Sequence, residues 1–229
     1  MASRVVVTGM GAVTALGNTM EATWSALLRH ESGVRPLNEV TERLGVDLST
    51  MERFCSTAAA VQGFEQDRTI ARSSQFAIEA TRQALQHAKL LDDENKLNIP
   101  AVSVGVAVGT GMGHLQDIGS KIGPHFVPRL LPNAAASRLG LTFGCQGPTI
   151  VDSSACAAAS HALGLAAQQL RLKRAQCMIV CGTEAALHPL GMEGFGRLRA
   201  LSSSGVNRPF DEKRDGFVMG EGAACLILE

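Results

Sequence analysis

Residues 147–164, GPTIVDSSACAAASHALG, decide the fold of this chain. The apolar run at 147–155 is typical of a buried strand, and it ends in the turn D-S-S-A at 152–155. From 156 to 174 the sequence is rich in alanine and glycine, which predicts a helix whose neighbours approach closely. A buried strand that turns directly into a helix is the unit from which α/β folds are built.

Four further apolar runs predict strands at 4–9, 101–111, 177–185 and 222–229. The first two stop at glycines, and their apolar character is continuous rather than alternating, as in strands that are buried on both faces. Such strands are typical of parallel sheets. The sequence therefore predicts an α/β fold with parallel-type strands and helices on both faces of the sheet.

The helices are predicted from apolar spacing and from caps. Residues 67–90 form a helical pattern whose apolar stripe consists of Phe76, Ala80, Ala84 and Ala88. A shorter helix is predicted over about 20–30, with Asn18 and Glu21 as its capping box. Residues 31–66 lack a sustained period and predict short elements and loops.

Composition narrows the possible functions. The 229 residues are 45% hydrophobic and 18% charged, which supports a sizeable core, and the formal net charge is zero. Nothing in that charge suggests a nucleic-acid partner, and the apolar runs are far shorter than a membrane span. The six cysteines form no CxxC pair and have no histidine at metal spacing, so we predict a reducing compartment without disulfides or a zinc site.

The two ends of the chain both lie in predicted strands. The first strand begins almost at once, so we expect no targeting segment, as in a cytoplasmic protein or the mature form of a mitochondrial one. The last strand ends at Glu229 without a polar tail, and we therefore expect the sequence to continue in a larger protein.

Cys156 is the strongest candidate for chemistry. It follows a strand and a sharp turn and is predicted to open a helix, where unpaired backbone N–H groups and the helix dipole favour the thiolate. A nucleophile elbow has the same arrangement, in which the nucleophile lies on a sharp turn between a strand and a helix. The alternative, a buried structural cysteine, stays open on position alone.

The histidines and the glycine-rich turns suggest no second catalytic group. His161 lies about 140° around the helix from Cys156, which predicts a packing role rather than a base. His114 and His188 are predicted to lie in loops without partners. The glycines at 9–14 and 109–113 lack the residues of a nucleotide-binding loop and predict tight strand exits. Arg–Asp pairs are expected to order the loop at 208–222.

Together these segments resemble the β-ketoacyl-[acyl-carrier-protein] synthase family, of the elongating type found in bacteria and mitochondria. Five stretches carry the resemblance in the family's order: RVVVTGMGAVTALGN (4–18), GTGMG (109–113), GPTIVDSSACAAASHALG (147–164), GTEAALHPLGMEGFGRLRALS (182–202) and RPFDEKRDGFVMGEGA (208–223). They span essentially the whole chain, so residues 1–229 are expected to be the family's N-terminal domain, without its C-terminal half.

The resemblance implies a thiolase-like fold, in which two βαβαβαββ halves form an α-β-α-β-α layered core, and this chain is one half. It also implies that Cys156 takes an acyl group as a thioester and that a malonyl unit is then decarboxylated and condensed with it. No cofactor is implied. The partners implied are acyl-carrier protein, carrying the acyl and malonyl substrates, and a second copy of the chain in a homodimer.

Further residues are assigned by resemblance alone. Met112 matches a position that reaches across the family's homodimer interface to the floor of the acyl pocket, and Gly191 and Phe195 match pocket-lining and gating positions. Arg68, Arg72 and Arg199 match basic positions that meet the acidic carrier protein.

Two alternative functions stay open at this point. One is a non-catalytic half that binds a partner chain or an acyl group. The other is a related cysteine-dependent acyltransferase or thiolase, against which the closing loop and the GFG segment at 194–196 argue.

Overall fold

The computed structural model describes residues 4–64, 67, 69–115, 118 and 122–229. Strands and helices are numbered separately in chain order. The strands are β1 (Val7–Val13), β2 (Arg35–Pro36), β3 (Thr57–Ala58), β4 (Val104–Gly109), β5 (Thr149–Asp152), β6 (Cys177–Ala185) and β7 (Glu221–Leu228). The helices are α1 (Met20–Leu28), α2 (Leu37–Leu44), α3 (Arg72–His87), α4 (Phe126–Leu130), α5 (Ala134–Phe143), α6 (Ala158–Arg171) and α7 (Pro189–Arg197).

Five strands form one mixed sheet in the order β1-β7-β6-β4-β5, and β2 pairs with β3 in a separate two-stranded sheet. The strand β4 runs parallel to both β5 and β6, whereas β7 is antiparallel to β6 and β1. The expectation of parallel strands throughout is therefore wrong for β7. The chain returns through α7 to the end of the sheet where β6 finished, so β7 starts opposite Ala185 and runs back.

Helices cover both faces of the sheet, as predicted. Successive side chains of β4 point to opposite faces of the sheet and therefore belong to two core clusters. Val106 and Val108 pack in a cluster with α3 and α5, whereas Ala107 packs in a second cluster with α6. The predicted helix stripe is confirmed, since Phe76 and Ala84 are fully buried in the first cluster.

Small residues let the helices approach the sheet backbone closely. A Cβ atom added at Gly11 of β1 would lie 2.1 Å from the carbonyl oxygen of Ala80 in α3. A Cβ atom added at Gly109 would lie 2.4 Å from the backbone of α6 at Ala158. Gly109 and the alanine-rich sequence of α6 thus bring the end of β4 directly against the start of that helix.

Most predicted elements exist, but several boundaries differ. The long helix begins at Arg72 rather than at 67, and β1 extends to Val13 rather than ending at 9. Thr19, not Asn18, caps α1, because the Thr19 side chain accepts the N–H of Ala22 at 3.1 Å. The Asn18 side chain instead donates to the carbonyl of Gln62 at 2.8 Å. The prediction of short elements and loops over 31–66 is confirmed for residues 31–64, and residues 65 and 66 lie outside the described part of the chain.

Candidate active site

The predicted strand, turn and helix form a sharp elbow at Cys156. After β5 ends at Asp152, Ala155 adopts a left-handed φ of 53°, and residues Ala155–Ala157 form a single 3-10 turn before α6 begins. Cys156 lies in this turn and is exposed. The thiol therefore stands two residues before α6, rather than on its first residue as the sequence suggested. A non-glycine residue with positive φ is strained, and such strain is typical of functional turns.

A hydrogen-bond network braces the elbow. The Ser154 hydroxyl contacts both the Asp152 carboxylate and Nδ1 of His161, the latter at 2.5 Å. The Asp152 carboxylate also accepts the backbone N–H of Ser154 at 3.0 Å, and these bonds lower its pKa. The predicted packing role of His161 is wrong, because its side chain is 57% exposed and contacts the turn instead of the core.

Cys156 opens into a cavity of about 670 Å³. Its walls come from the ends of β1, β4 and β6, the start of α6, helix α7 and residues 217–224. Met112 and Phe195, two of the three residues assigned to an acyl pocket, line it together with Cys156. The Phe195 ring packs edge-on against Phe217, with ring centroids 5.4 Å apart. Most of the lining side chains are apolar, so the cavity suits an alkyl chain.

Gly191 does not line this cavity. It is buried in α7, where an added Cβ atom would lie 2.7 Å from the carbonyl oxygen of Ala186, which itself lines the wall. The structure thus places Gly191 directly behind the wall of this cavity, and its assignment to the acyl pocket stays a prediction. A side chain at this position would press on the wall from behind.

The environment of Cys156 differs from that of the other cysteines. Burial raises the pKa of Cys177 to about 12 and that of Cys145 to about 11. Burial also raises the pKa of Cys55. Cys156 is the only one of the six cysteines classed as exposed. Reagents in solution can therefore reach Cys156 most easily.

Glu184 is a cavity residue that the sequence analysis did not single out. It is half-buried near the end of β6, and its Oε2 accepts the backbone N–H groups of Gly111 and Met112 at 2.9 and 2.8 Å. Burial raises its pKa, although the N–H groups that it accepts oppose this. The available signal was a carboxylate at the end of an otherwise apolar strand, within the quoted GTEA segment.

The three arginines assigned to carrier docking have different environments. Arg72 is buried at the start of α3 and pairs with Glu221, with its guanidinium 2.6 Å from Oε1 and 3.0 Å from Oε2 of that carboxylate. The docking prediction for Arg72 is therefore wrong, because its charge is neutralised inside the protein. Arg199 is exposed just after α7, and Arg68 lies outside the described residues.

His114 and His188 both have partners, contrary to the prediction. Nδ1 of buried His114 lies 2.7 Å from the Ser73 hydroxyl, and burial is the main cause that lowers the His114 pKa to about 4. Nδ1 of His188 accepts the N–H of Leu190 at 3.3 Å and caps α7. Neither histidine lines the cavity, so neither is placed to exchange protons with Cys156.

The predicted Arg–Asp pairing in the 208–222 loop is confirmed for one pair. Arg208 lies 3.7 Å from the Asp215 carboxylate, which also accepts the Ser202 hydroxyl and the Ser204 N–H, each at 2.8 Å. These bonds lower the pKa of Asp215. They tie the loop to residues 202–204 and so fix the path of the chain into the cavity wall at 217–224.

Within the described part of the chain, no cluster of three or more histidine, cysteine or acidic residues could hold a metal ion. No helix among these described residues is both long and apolar enough to cross a membrane.

Residues 2–229 match the family model for the beta-ketoacyl synthase N-terminal domain. The chain is 36% identical to 3-oxoacyl-[acyl-carrier-protein] synthase 2 of Synechocystis sp., over 99% of the chain and 57% of that relative. It is 30% identical to a 3-oxoacyl-[acyl-carrier-protein] synthase homolog of Saccharomyces cerevisiae, over 100% of the chain and 59% of the relative. The chain thus spans somewhat more than half the length of these relatives.

Solved structures agree with the family match. The chain superposes on a beta-ketoacyl synthase from Burkholderia phymatum with a TM-score of 0.85 and 30% identity, covering 100% of this chain and 59% of that one. It also superposes on a type II polyketide ketosynthase, solved in complex with its acyl-carrier protein, with a TM-score of 0.82 and 28% identity, over 100% and 58% of the two chains. The predicted thiolase-like fold is confirmed. The chain belongs to the beta-ketoacyl synthase family, whose N-terminal domain it contains across residues 2–229.

Proposed function

We propose that this chain is the nucleophile-bearing half of a 3-oxoacyl-[acyl-carrier-protein] synthase of fatty-acid elongation. The observation that carries the proposal is the position of Cys156, an exposed thiol on a strand–turn–helix elbow in the wall of an apolar cavity of about 670 Å³. The names of the relatives support it, because proteins 30–36% identical to this chain are 3-oxoacyl-[acyl-carrier-protein] synthases or a homolog of them.

The first step of the proposed reaction transfers an acyl group to Cys156. The thiolate attacks the carbonyl carbon of an acyl thioester, and the carrier's thiolate leaves and takes up a proton. The alkyl chain enters the cavity, where Met112 and Phe195 provide apolar contacts. We assign the backbone N–H of Cys156 as one donor to the oxyanion that forms during the attack.

The second step forms the carbon–carbon bond. A malonyl thioester loses carbon dioxide, and the resulting carbanion attacks the acyl carbonyl, which releases the Cys156 thiolate and a 3-oxoacyl thioester. In the cavity wall formed by the described residues, the ionisable side chains are Cys156 and the acidic Glu184. Neither can stabilise the negative charge of a carbanion. We therefore place the decarboxylation groups outside the described residues and expect this chain to accept an acyl group without condensing it.

The proposed partners follow from the proposed substrate. Acyl-carrier protein is acidic, and the exposed Arg199, four residues after Phe195 in the cavity wall, is one basic group that could meet it. Arg68 remains a prediction for the same surface. We also propose a homodimer, and a location in the cytoplasm or the mitochondrial matrix. Exposed apolar side chains such as Leu141, which is 77% exposed, favour a protein partner.

Acyl transfer to the purified chain tests the proposal. Incubation with hexanoyl-pantetheine should add one acyl group, detected by intact-mass spectrometry, and hydroxylamine should remove it as expected for a thioester. Cys156→Ala should abolish the adduct, whereas Cys55→Ala, which changes a buried cysteine, should retain it. A folded wild-type chain that takes up no acyl group would instead favour the alternative that this chain is a non-catalytic half that binds a partner chain.

A further inference from the structure

Glu184 lies in the cavity wall and contacts the glycine-rich turn at 109–113. Its Oε2 accepts two consecutive backbone N–H groups, from Gly111 at 2.9 Å and from Met112 at 2.8 Å. Its Oε1 accepts the N–H of Ala185 at 3.3 Å. The carboxylate therefore holds the backbone of the residue whose side chain, Met112, lines the cavity beside Cys156.

The same turn also contacts the nucleophile elbow. The Thr110 N–H donates to the carbonyl of Asp152 at 3.2 Å, and the Thr110 hydroxyl accepts the Gly113 N–H at 3.2 Å. A Cβ atom added at Gly111 would lie 3.2 Å from Glu184 Oε2 and 3.6 Å from the carbonyl oxygen of Ala155, the residue before Cys156. Glu184, the turn and the elbow thus form one contiguous wall.

The hydrogen bonds and the burial of the Glu184 carboxylate suit a residue that positions the backbone. Backbone N–H groups of Gly111, Met112 and Ala185 donate to its two carboxylate oxygens. Burial raises its pKa, so a carboxylate is held here against a desolvation cost. A neutral apolar side chain would avoid that cost but would leave the N–H groups of Gly111 and Met112 without an acceptor.

We propose that Glu184 is a positioning residue that fixes Met112 in the cavity wall and thereby sets which alkyl chain lengths reach Cys156. This inference rests on the proposed function, because it assumes that the cavity receives the alkyl chain of the substrate. It assigns Glu184 no contact with the reacting atoms.

Alkylation of Cys156 by N-alkylmaleimides tests the inference in the chain itself. The measured quantity is the ratio of the octylmaleimide rate constant to the methylmaleimide rate constant. The same ratio for glutathione is the reference for a thiol without a cavity. Each methylene buried in an apolar site gains about fourfold in affinity. A tail that enters the cavity even partly should therefore raise the wild-type ratio at least about tenfold above that of glutathione.

The variants separate positioning from other effects. Glu184→Ala should lower the ratio about tenfold or more, because the turn that carries Met112 moves, and the ratio cancels any change in thiol reactivity that affects both reagents equally. Glu184→Gln retains an acceptor oxygen and should keep the wild-type ratio. Glu39→Ala removes an exposed carboxylate on α2 and is the matched control. Amide hydrogen exchange at Gly111 and Met112 should accelerate in Glu184→Ala only.

Each outcome distinguishes between the claims. A wild-type ratio equal to that of glutathione would overturn both the alkyl cavity and the role of Glu184. A raised wild-type ratio that Glu184→Ala leaves unchanged would overturn the role of Glu184 alone. If Glu184→Ala does not fold, Glu184→Asp replaces it, since the shorter carboxylate cannot reach both N–H groups, and an unchanged ratio in that variant overturns the inference.

Discussion

Replacing Arg72 by methionine should strongly destabilise the protein. The side chains of Arg72 and Glu221 are only 9% and 1% exposed, and the two are joined by a contact of 2.6 Å. Methionine keeps a long apolar side chain over the Phe76 ring, which lies 4.8 Å from the Arg72 guanidinium, but leaves the Glu221 carboxylate buried without its cation. Removal of one partner of a buried ion pair lowers the free energy of unfolding by about 3–5 kcal/mol.

This loss is large compared with the stability of a typical domain, which is about 5–15 kcal/mol. Glu221 also accepts the N–H of Val61 at 3.0 Å, so its displacement would loosen the contact between β7 and residues 59–61. The neighbouring residues Gly220 and Gly222 line the cavity, and we therefore expect the stability loss to be accompanied by slower and less selective labelling of Cys156.

Urea unfolding followed by circular dichroism measures the effect. The double variant Arg72→Met with Glu221→Gln removes both charges and should recover most of the lost free energy. Arg43→Met is the control, because the Arg43–Glu39 pair is 37% and 43% exposed, and its loss should cost less than about 1 kcal/mol. A loss below about 1 kcal/mol for Arg72→Met would refute the assignment of a buried structural pair and would restore Arg72 as a candidate for docking.

Three further outcomes are expected. Lowering the pH from 6.5 to 4 should reduce the free energy of unfolding by up to about 3 kcal/mol through His114, because its pKa is lowered from 6.5 to about 4 and the unfolded chain binds the proton first. Urea unfolding should show a weaker pH dependence in His114→Gln than in the wild type, and the wild-type dependence in His30→Gln. The same pH dependence in His114→Gln and the wild type would contradict the role of His114. Met112→Phe should lower the octyl-to-methyl maleimide ratio at Cys156 several-fold by filling the cavity, and an unchanged ratio would assign Met112 to ordinary packing. In the complete enzyme, Arg199→Glu should raise KM for carrier-bound substrate and spare pantetheine thioesters, whereas equal losses on both would argue against docking.

The fold was largely predictable because its strands are buried on both faces. Such strands have continuous apolar sequences, and the strand at Cys177–Ala185 matches its predicted range residue for residue. The direction of β7 was not predictable from the sequence pattern, since an apolar run has the same appearance in parallel and antiparallel pairs. The start of α1 was predicted correctly at about residue 20, but its cap was misassigned, because Thr19 and Asn18 are both good caps and only tertiary contacts decide between them.

Predictability at the site depended on how far apart the partners lie in the chain. Cys156 could be singled out from the sequence as a candidate nucleophile because the strand, the turn and the cysteine are consecutive in the chain. Arg72 and Glu221 lie 149 positions apart, so nothing local indicated that the arginine is buried rather than facing a partner. Glu184 and the turn at Gly111 are separated by 73 positions, which hid the positioning role in the same way. The sequence pattern locates the strands and helices, whereas the partner of a charged side chain depends on how the fold packs.

Competitive labelling of the six cysteines tests most directly whether Cys156 is the nucleophile. The folded chain is treated with a limiting amount of iodoacetamide at pH 7.5, and the modified peptides are quantified by mass spectrometry. Cys156 should react at least about tenfold faster than any other cysteine, because it is exposed on the elbow, whereas burial raises the pKa of Cys145 to about 11 and that of Cys177 to about 12. Comparable or faster modification of Cys145, Cys177 or another cysteine in the folded chain would contradict the assignment of Cys156.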